Sequence, residues 1–140
     1  MAFETTKLIR FHHCDPAGIV FYPQYLVLCN ETVEDWFEQG LGVGFHALHH
    51  TLHRGIPMVR LECDFLGASR HGEALQFRLE VERIGNSSIT WNITAGKDGK
   101  PRFRAKQTVV WADVSGPRPT AIDDAWRARF TRFMAPDPGV

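Results

Sequence analysis

The segment from Cys14 to Tyr25 combines the groups that acyl-transfer chemistry requires. Asp15 supplies a carboxylate in an Asp-Pro pair, which favours a turn, and Gly18 allows close approach of the backbone. Pro23 suits the first turn of a helix, where free N–H groups and a partial positive charge favour an anion. A carboxylate beside amide donors can attack a carbonyl, or activate water toward it, while the donors stabilise the oxyanion. The segment therefore indicates an enzyme.

The same segment permits a second chemistry, in which Cys14 is the nucleophile and a neighbouring histidine is its base. Adjacent residues of an extended chain point to opposite sides, so His13 and Cys14 do not meet easily. No pair of a base and a group that orients it is evident elsewhere in the sequence. We therefore interpret Cys14 as a small packing residue and Asp15 as the catalytic group.

A histidine cluster between residues 46 and 53 is the main competing signal. If this stretch is helical, His46, His49 or His50, and His53 lie on one face, and imidazoles at that spacing can bind zinc or copper. No carboxylate or thiolate accompanies them, and no residue that would orient the rings can be named. We predict no metal, and keep a non-catalytic metal- or ligand-binding module as the alternative from another class.

Length and charge narrow the classes of protein. A chain of 140 residues predicts one domain, and 16 basic residues cancel 16 acidic ones, so no global field attracts nucleic acid or an anionic membrane. No apolar run approaches the ~20 residues of a membrane span, and the N-terminus does not resemble a signal peptide. Three cysteines without CxxC spacing suit reduced thiols. We expect a cytoplasmic protein that binds neither nucleic acid nor membrane.

Helical spacing of apolar residues predicts a helix over residues 24–39 that stops at Gly40. The first half, Tyr25–Cys29, is apolar on every side, so we expect it to be wrapped by other elements. A second, short helix is predicted from Asp123, with one apolar face formed by Trp126, Phe130 and Phe133.

Apolar and polar residues alternate in four later segments, which predicts antiparallel strands that cover something on one side. Within the last segment only Gln107 interrupts the apolar set. Turn-rich links of hairpin length separate the strands at 85–88 and 96–101. With a short strand over Thr5–Phe11, this predicts an α+β fold of about five strands around one long helix. The four segments are Val59–Phe65, Leu75–Glu82, Ile89–Thr94 and Phe103–Trp111.

The run Asp15-Pro16-Ala17-Gly18-Ile19-Val20, followed by Phe21-Tyr22-Pro23-Gln24-Tyr25, resembles the active-site signature of the 4-hydroxybenzoyl-CoA thioesterase family. Arg54–Val59 and the later strand pattern match in order, so the resemblance covers nearly the whole chain. It implies a single hotdog domain over residues 1–140, with a curved sheet wrapped around one long central helix. It also implies hydrolysis of an aromatic or short-chain acyl-CoA, with no cofactor besides the coenzyme A thioester that is the substrate.

The resemblance also implies roles for individual residues. Asp15 is the nucleophile or general base, and backbone N–H groups around Phe21 and Tyr22 hold the oxyanion. The position of Asn30 is an aspartate that contacts the ring hydroxyl in the 4-hydroxybenzoyl branch, so asparagine departs from that substrate. The implied substrate-binding residues are Gly18, Tyr25, Asn30, Pro57, Met58 and Val59.

Coenzyme A phosphates need donors, and the resemblance places these in the polar turn that contains Ser87 and Ser88. Basic residues that some family members place in this turn are missing here, so Arg70, Arg83, Arg104 and Lys106 are the candidate cations. The family further implies a homo-oligomer, a dimer or tetramer, whose sites combine the Asp15 turn of one chain with the strand at Pro57–Val59 of another. A hotdog dehydratase or hydratase is the runner-up within the fold, but such enzymes pair an aspartate with a histidine, and no such pair is evident.

Overall fold

The computed structural model describes residues 1–136; the last four residues of the predicted domain, 137–140, lie outside the described part. A five-stranded antiparallel sheet has the order β1-β4-β5-β6-β3, and a small antiparallel sheet has the order β2-β7-β8. The strands are β1 (Phe3–Leu8), β2 (Arg54–Gly55), β3 (Met58–Phe65), β4 (Ala74–Ile84), β5 (Ser88–Lys97), β6 (Lys100–Val110), β7 (Ala112–Asp113) and β8 (Arg118–Pro119).

The long helix α1 spans Tyr22–Asp35 and continues into a π-helical turn, Trp36–Leu41. Pro23 lies in its first turn, as predicted. The predicted stop at Gly40 is wrong, because Gly42 ends the helical run in the left-handed conformation (φ 81°) that caps a helix. Gly40 instead lies against the Trp36 side chain, where a Cβ atom would come within 2.8 Å of the ring.

Shorter helical segments complete the chain. A 3-10 turn spans Phe11–His13 and a π-helical turn spans Ala47–Thr51. The predicted C-terminal helix is confirmed as α2, Asp124–Thr131, with Asp123 accepting a hydrogen bond from the Trp126 N–H at its N-cap. Phe133, predicted on its apolar face, is buried but lies in the turn after the helix. Within residues 1–136, no helix has both the length and the apolar character needed to cross a membrane.

The first strand begins two residues earlier than predicted and ends three residues earlier. Phe3 pairs with Leu79 and Leu8 with Ala74, so β4 sets the extent of β1. Phe11, the last residue of the predicted strand, instead begins the 3-10 turn. Few apolar residues mark this segment, so long-range pairing decided its bounds rather than local pattern.

The inner face of β4, β5 and β6 packs on α1 and α2, which confirms the alternation that the sequence shows in those strands. The Trp36 ring lies 5.4 Å from that of Trp91 and 5.8 Å from that of Phe130 between centroids, so an aromatic cluster joins helix to sheet. The hotdog arrangement of one long helix wrapped by a five-stranded sheet is therefore confirmed.

β3 differs from its sequence pattern, because its apolar face is not buried. Leu61 is 41% exposed and Phe65 54% exposed, although both share the inner side of the sheet with β6. β3 is an edge strand, and although the Tyr22 and Tyr25 rings of α1 lie 6.1 Å from that of Phe65, they leave it exposed. Val27, expected to be wrapped, is also exposed. We call the exposed set Tyr22, Met58, Leu61 and Phe65 the apolar edge.

Candidate active site

Asp15 lies at the first position of a tight turn between two short extended segments. Cys14 and Val20 form an antiparallel bridge, and the Asp15 N–H donates to the Ile19 carbonyl at 3.1 Å. The Gly18 N–H returns to the Asp15 carbonyl at 2.9 Å, with Gly18 at φ 79°. Asp, Pro and Gly occupy the positions that this type of turn favours, so the local sequence builds it.

The Asp15 carboxylate is held by one oxygen. Its Oδ1 accepts from the Ala17 N–H at 2.9 Å, while Oδ2 has no hydrogen-bond partner among residues 1–136. The side chain is half-buried and faces a pocket of about 440 Å³. One oxygen is therefore fixed by the turn, and the other can act on a molecule in the pocket. The lining residues are Phe11, Cys14, Asp15, Pro16, Gly18 and His71.

The two proposed oxyanion donors differ in availability. The Phe21 N–H already donates to the His13 carbonyl at 2.9 Å, so it cannot serve as predicted. The Tyr22 N–H starts α1, and no acceptor within the described chain receives it. A free N–H at a helix start favours a developing negative charge. The predicted pair of donors is thus reduced to Tyr22.

Loop 66–73 holds the Asp15 turn against the rest of the molecule. The Val20 N–H donates to the Ser69 carbonyl at 2.8 Å, and Ile19 bridges to Arg70. The Tyr25 hydroxyl donates to Ser69 Oγ at 2.8 Å. Tyr25, predicted to contact substrate, is 4% exposed and lines neither pocket, and its hydroxyl fixes this loop.

An ion pair completes this support. Arg102 donates to both carboxylate oxygens of Glu73 at 3.1 Å and to the Ala68 carbonyl at 2.6 Å. The Arg102 hydrogen bonds, together with the Arg70 N–H, lower the pKa of Glu73, whereas burial raises the pKa of Tyr25. The loop is therefore tied down by charge-assisted hydrogen bonds.

A second, larger pocket of about 650 Å³ lies between α1, the 47–51 turn and the inner sheet face. Asn30, Pro57 and Met58 of the predicted substrate-binding set line it. Val59 does not, because a register shift between Met58 and Arg60 places it outside the regular alternation. The other lining residues are Leu26, Val33, Phe45, His49, Gly55, Ile56, Leu61, Trp91, Gln107, Val109, Ala112, Val114 and Pro117.

The walls of this pocket are apolar and uncharged. No Asp, Glu, Lys or Arg side chain from the described chain is among its lining residues, and its polar side chains are Asn30, His49 and Gln107. The small sheet β2-β7-β8, whose two-residue strands have no sequence signature, brings Gly55 and Ala112 to one end. Such a pocket suits an apolar group that carries few polar substituents.

The two pockets share no lining residue. Tyr22, beside the Asp15 turn, and Asn30 are eight residues apart on α1, which is about 12 Å along the helix axis. Within one chain, Gly18 of the predicted substrate-binding set lines the Asp15 pocket, whereas Asn30, Pro57 and Met58 line the other pocket and are not brought to the carboxylate.

The predicted coenzyme A residues also lie apart. Arg70 is exposed beside the Asp15 turn. Arg83, Ser87 and Ser88 lie at the β4–β5 connection, where the Gly85 carbonyl accepts from Arg127 of α2 at 2.9 Å. This turn is thus partly occupied by contacts with the C-terminal helix.

Arg104 is on the outer face of the sheet, in a groove that three carboxylates and Lys106 also line, and Lys106 is already paired with Glu82 at 3.1 Å. The carboxylates, Glu62, Asp64 and Glu82, outnumber the two cations and disfavour a phosphate group. The candidates do not form one cluster in a single chain, and Arg70 alone adjoins Asp15.

The histidines between 46 and 53 do not converge. The rings of His46 and His50 are 4.7 Å apart, while His49 Nδ1 is bonded to the Phe45 carbonyl at 2.7 Å. No group of three or more His, Cys, Asp or Glu residues within 1–136 is arranged to hold a metal ion.

Sequence reasoning missed His71. It lines the Asp15 pocket, with its ring 6.0 Å from that of Phe11, so the structure brings a histidine to the same pocket as Asp15, where the sequence showed no evident pair. His71 is 56 residues from Asp15 along the chain, in a turn with Gly72 at φ 92°. Only the fold, through the bridge between Ile19 and Arg70, places it there.

Three comparisons bear on this arrangement. The profile of the thioesterase-like superfamily matches residues 9–130. A 1,4-dihydroxy-2-naphthoyl-CoA hydrolase from Acaryochloris marina is 28% identical over 106 residues, which are 74% of this chain and 76% of the relative.

Solved structures share the fold at lower identity. A thioesterase superfamily protein from Jannaschia sp. CCS1 superposes with a TM-score of 0.89 at 24% identity, covering 96% of this chain and 94% of that one. A 1,4-dihydroxy-2-naphthoyl-CoA thioesterase from Synechocystis gives 0.81 at 17% identity, covering 94% and 96%.

Proposed function

Because the chain belongs to the thioesterase-like superfamily, we propose that it hydrolyses a hydroxylated aromatic acyl-CoA to the free acid and coenzyme A, with Asp15 as the essential carboxylate. One observation carries the assignment. Asp15 lines a pocket and has one oxygen held by the Ala17 N–H, and it is close in sequence to the unpaired Tyr22 N–H at the start of α1. These are the carboxylate and oxyanion donor that thioester hydrolysis needs.

Two routes use this geometry. Asp15 Oδ2 can attack the thioester carbonyl, expelling the coenzyme A thiolate, which takes up a proton, and water then cleaves the mixed anhydride. Alternatively, Asp15 takes a proton from water as that water attacks the carbonyl. In both routes the oxyanion forms beside the Tyr22 N–H. A single turnover in H₂¹⁸O separates them, because only the first can place ¹⁸O in the Asp15 carboxylate.

The relatives support an aromatic acyl group. Those matched in sequence are named as 1,4-dihydroxy-2-naphthoyl-CoA hydrolases, and the pocket of about 650 Å³ is apolar and uncharged. Asn30, rather than an acidic residue, lies at this pocket. A bicyclic hydroxylated ring is therefore proposed as a better fit than the 4-hydroxybenzoyl group that the sequence signature suggests.

The active site is proposed to be completed by a second copy of the chain. Asp15 and the apolar pocket are separate within one chain. β3 has one free edge, and the apolar edge there includes Tyr22 beside the Asp15 turn and the pocket residues Met58 and Leu61. An exposed apolar edge strand is a ready surface for pairing. In a two-fold dimer, Asp15 of each chain would serve the pocket of its partner.

The activity is tested by mixing the pure protein with benzoyl-, hydroxybenzoyl- and hydroxynaphthoyl-CoA esters and a thiol reagent that reports free coenzyme A. Release of one coenzyme A per acid supports the proposal. An enoyl-CoA panel, followed by loss of the enoyl absorbance, tests the hydratase alternative that His71 keeps relevant. Hydration without thiol release would replace the proposed activity.

The shared site is tested with two inactive variants. Asp15→Asn removes the carboxylate, and Ala112→Phe fills the apolar pocket. If chains are unfolded together and refolded as a mixture, heterodimers retain one intact shared site, and about a quarter of wild-type activity returns. If each site lies within one chain, the mixture would regain no activity.

The oligomeric state is tested by light scattering, which should give a mass that is a multiple of 15.9 kDa. A fully active monomer of that mass would exclude the shared site.

A further inference from the structure

Gln107 is a buried amide that directs a hydrogen-bond donor into the apolar pocket. The residue is 3% exposed and lines the pocket on β6. Its Oε1 accepts from Trp91 Nε1 at 2.7 Å, and because an indole N–H only donates, this bond fixes which end of the amide is oxygen. The Nε2 has no hydrogen-bond partner within the described chain. It is not fully enclosed either, because Trp36 Nε1 is the one fully enclosed side-chain nitrogen or oxygen without a partner there. Gln107 Nε2 is therefore open to the pocket.

His49 supplies the opposite chemistry on the same pocket. Its Nδ1 lies 2.7 Å from the Phe45 carbonyl, which can only accept, so Nδ1 carries the hydrogen. In the neutral imidazole the other nitrogen, Nε2, is then an acceptor. The ring is also held by the Phe45 side chain, with centroids 5.2 Å apart, and Nε2 lies near Gly55 at the pocket wall. The pocket thus has an oriented acceptor besides the oriented donor.

From this pair we infer that Gln107 and His49 are specificity residues that select an acyl ring with a neutral hydroxyl group. The inference rests on the proposed function and names the substituent that its substrate must carry. A phenolic hydroxyl both accepts and donates, so a hydroxyl near Gln107 can accept from its Nε2, and one near His49 can donate to its Nε2. An unsubstituted ring leaves the buried Gln107 donor unpaired, which is costly. A charged substituent finds no counter-ion on the uncharged walls.

The experiment compares matched ring pairs: benzoyl-CoA with its three monohydroxy isomers, and 2-naphthoyl-CoA with 1-hydroxy-2-naphthoyl-CoA. We expect kcat/KM of the preferred hydroxylated ester to exceed that of its unsubstituted partner by at least about tenfold. In Gln107→Leu this ratio should fall toward one. His49→Phe, which keeps a ring of similar size, should lower it as well. Gln76→Leu, the same substitution on the exposed outer face, should leave the ratio unchanged.

Each outcome decides a separate point. Two results overturn the inference and leave the proposed function standing. One is equal kcat/KM for both members of each pair, and the other is a Gln107→Leu variant that loses activity but keeps the kcat/KM ratio of the hydroxylated to the unsubstituted ester. If Gln107→Leu does not fold, because Trp91 loses its acceptor, the His49→Phe ratio decides. If no ester is hydrolysed, the proposed function fails. Calorimetric binding of 1-hydroxy-2-naphthoate against 2-naphthoate then tests the selection without turnover, and equal affinities overturn it.

Discussion

The Tyr25 hydroxyl donates to Ser69 Oγ across 2.8 Å and thereby joins the long helix to loop 66–73, which holds the Asp15 turn in place. Ser69 in turn accepts the Val20 N–H through its carbonyl, so one residue contacts both the helix and the turn. A catalytic carboxylate in a surface turn depends on such support, because small displacements from a reactive geometry are costly.

Asp15→Asn should abolish nearly all hydrolysis and leave the fold intact. Asparagine keeps the oxygen that accepts from Ala17, so the turn persists, but it can neither attack a thioester nor take a proton from water. We expect kcat to fall at least about 100-fold. Asp98→Asn, in a left-handed turn position that asparagine tolerates, is the matched control. Activity of Asp15→Asn within about tenfold of wild type would contradict the assignment.

Tyr25→Phe should lower kcat about tenfold with little change in KM, because it releases the loop that supports Asp15 without touching the apolar pocket. The free energy of unfolding should fall by about 1 kcal/mol, the usual net value of one hydrogen bond. Thr108→Val removes a comparable hydroxyl pair with Thr90 on the outer face. It should lower stability by a similar amount and leave kcat unchanged. Equal effects of both variants on kcat would show that Tyr25 acts through stability alone.

Glu73→Gln should destabilise the protein more at pH 7 than at low pH. Arg102 lowers the pKa of Glu73 below its usual 4.5, so the ionised form is favoured by folding. This contribution is present above the unfolded pKa and is lost as pH falls through the folded one. The carboxylate is partly exposed, so we expect the substitution to lower the free energy of unfolding by about 1 kcal/mol at pH 7. Urea unfolding at pH 7 and near pH 3 measures it, with exposed Glu62→Gln as control. A difference that does not depend on pH would exclude the ion pair as its source.

Cys29 should not react with thiol reagents in the folded protein at pH 8. It is fully buried, and burial raises the pKa of its thiol to about 12, so almost no thiolate forms. Cys14 and Cys63 are partly exposed. Titration with a chromogenic disulfide should therefore label at most two thiols before unfolding and three after it. The Cys14→Ser variant should retain thioester hydrolysis. An inactive Cys14→Ser variant would instead support Cys14 as the nucleophile.

The sequence alone was enough to predict the long helix, the alternating strands β4 to β6 and a C-terminal helix from Asp123, because local periodicity specifies these elements. The Asp15 turn was equally local, since Asp, Pro and Gly occupy neighbouring positions that each favour it. The interruption of β6 by Gln107 was visible, although its meaning was not.

The tertiary structure decided what lies beside these elements. His71 reaches the Asp15 pocket through a bridge between residues far apart in sequence, and His49 joins Gln107 only because the 47–51 turn folds over the sheet. The exposure of Leu61 and Phe65 follows from the position of β3 at the sheet edge, which periodicity does not encode. Periodicity fixes which side of a strand is apolar, but the order of strands and the reach of α1 determine whether that side is covered.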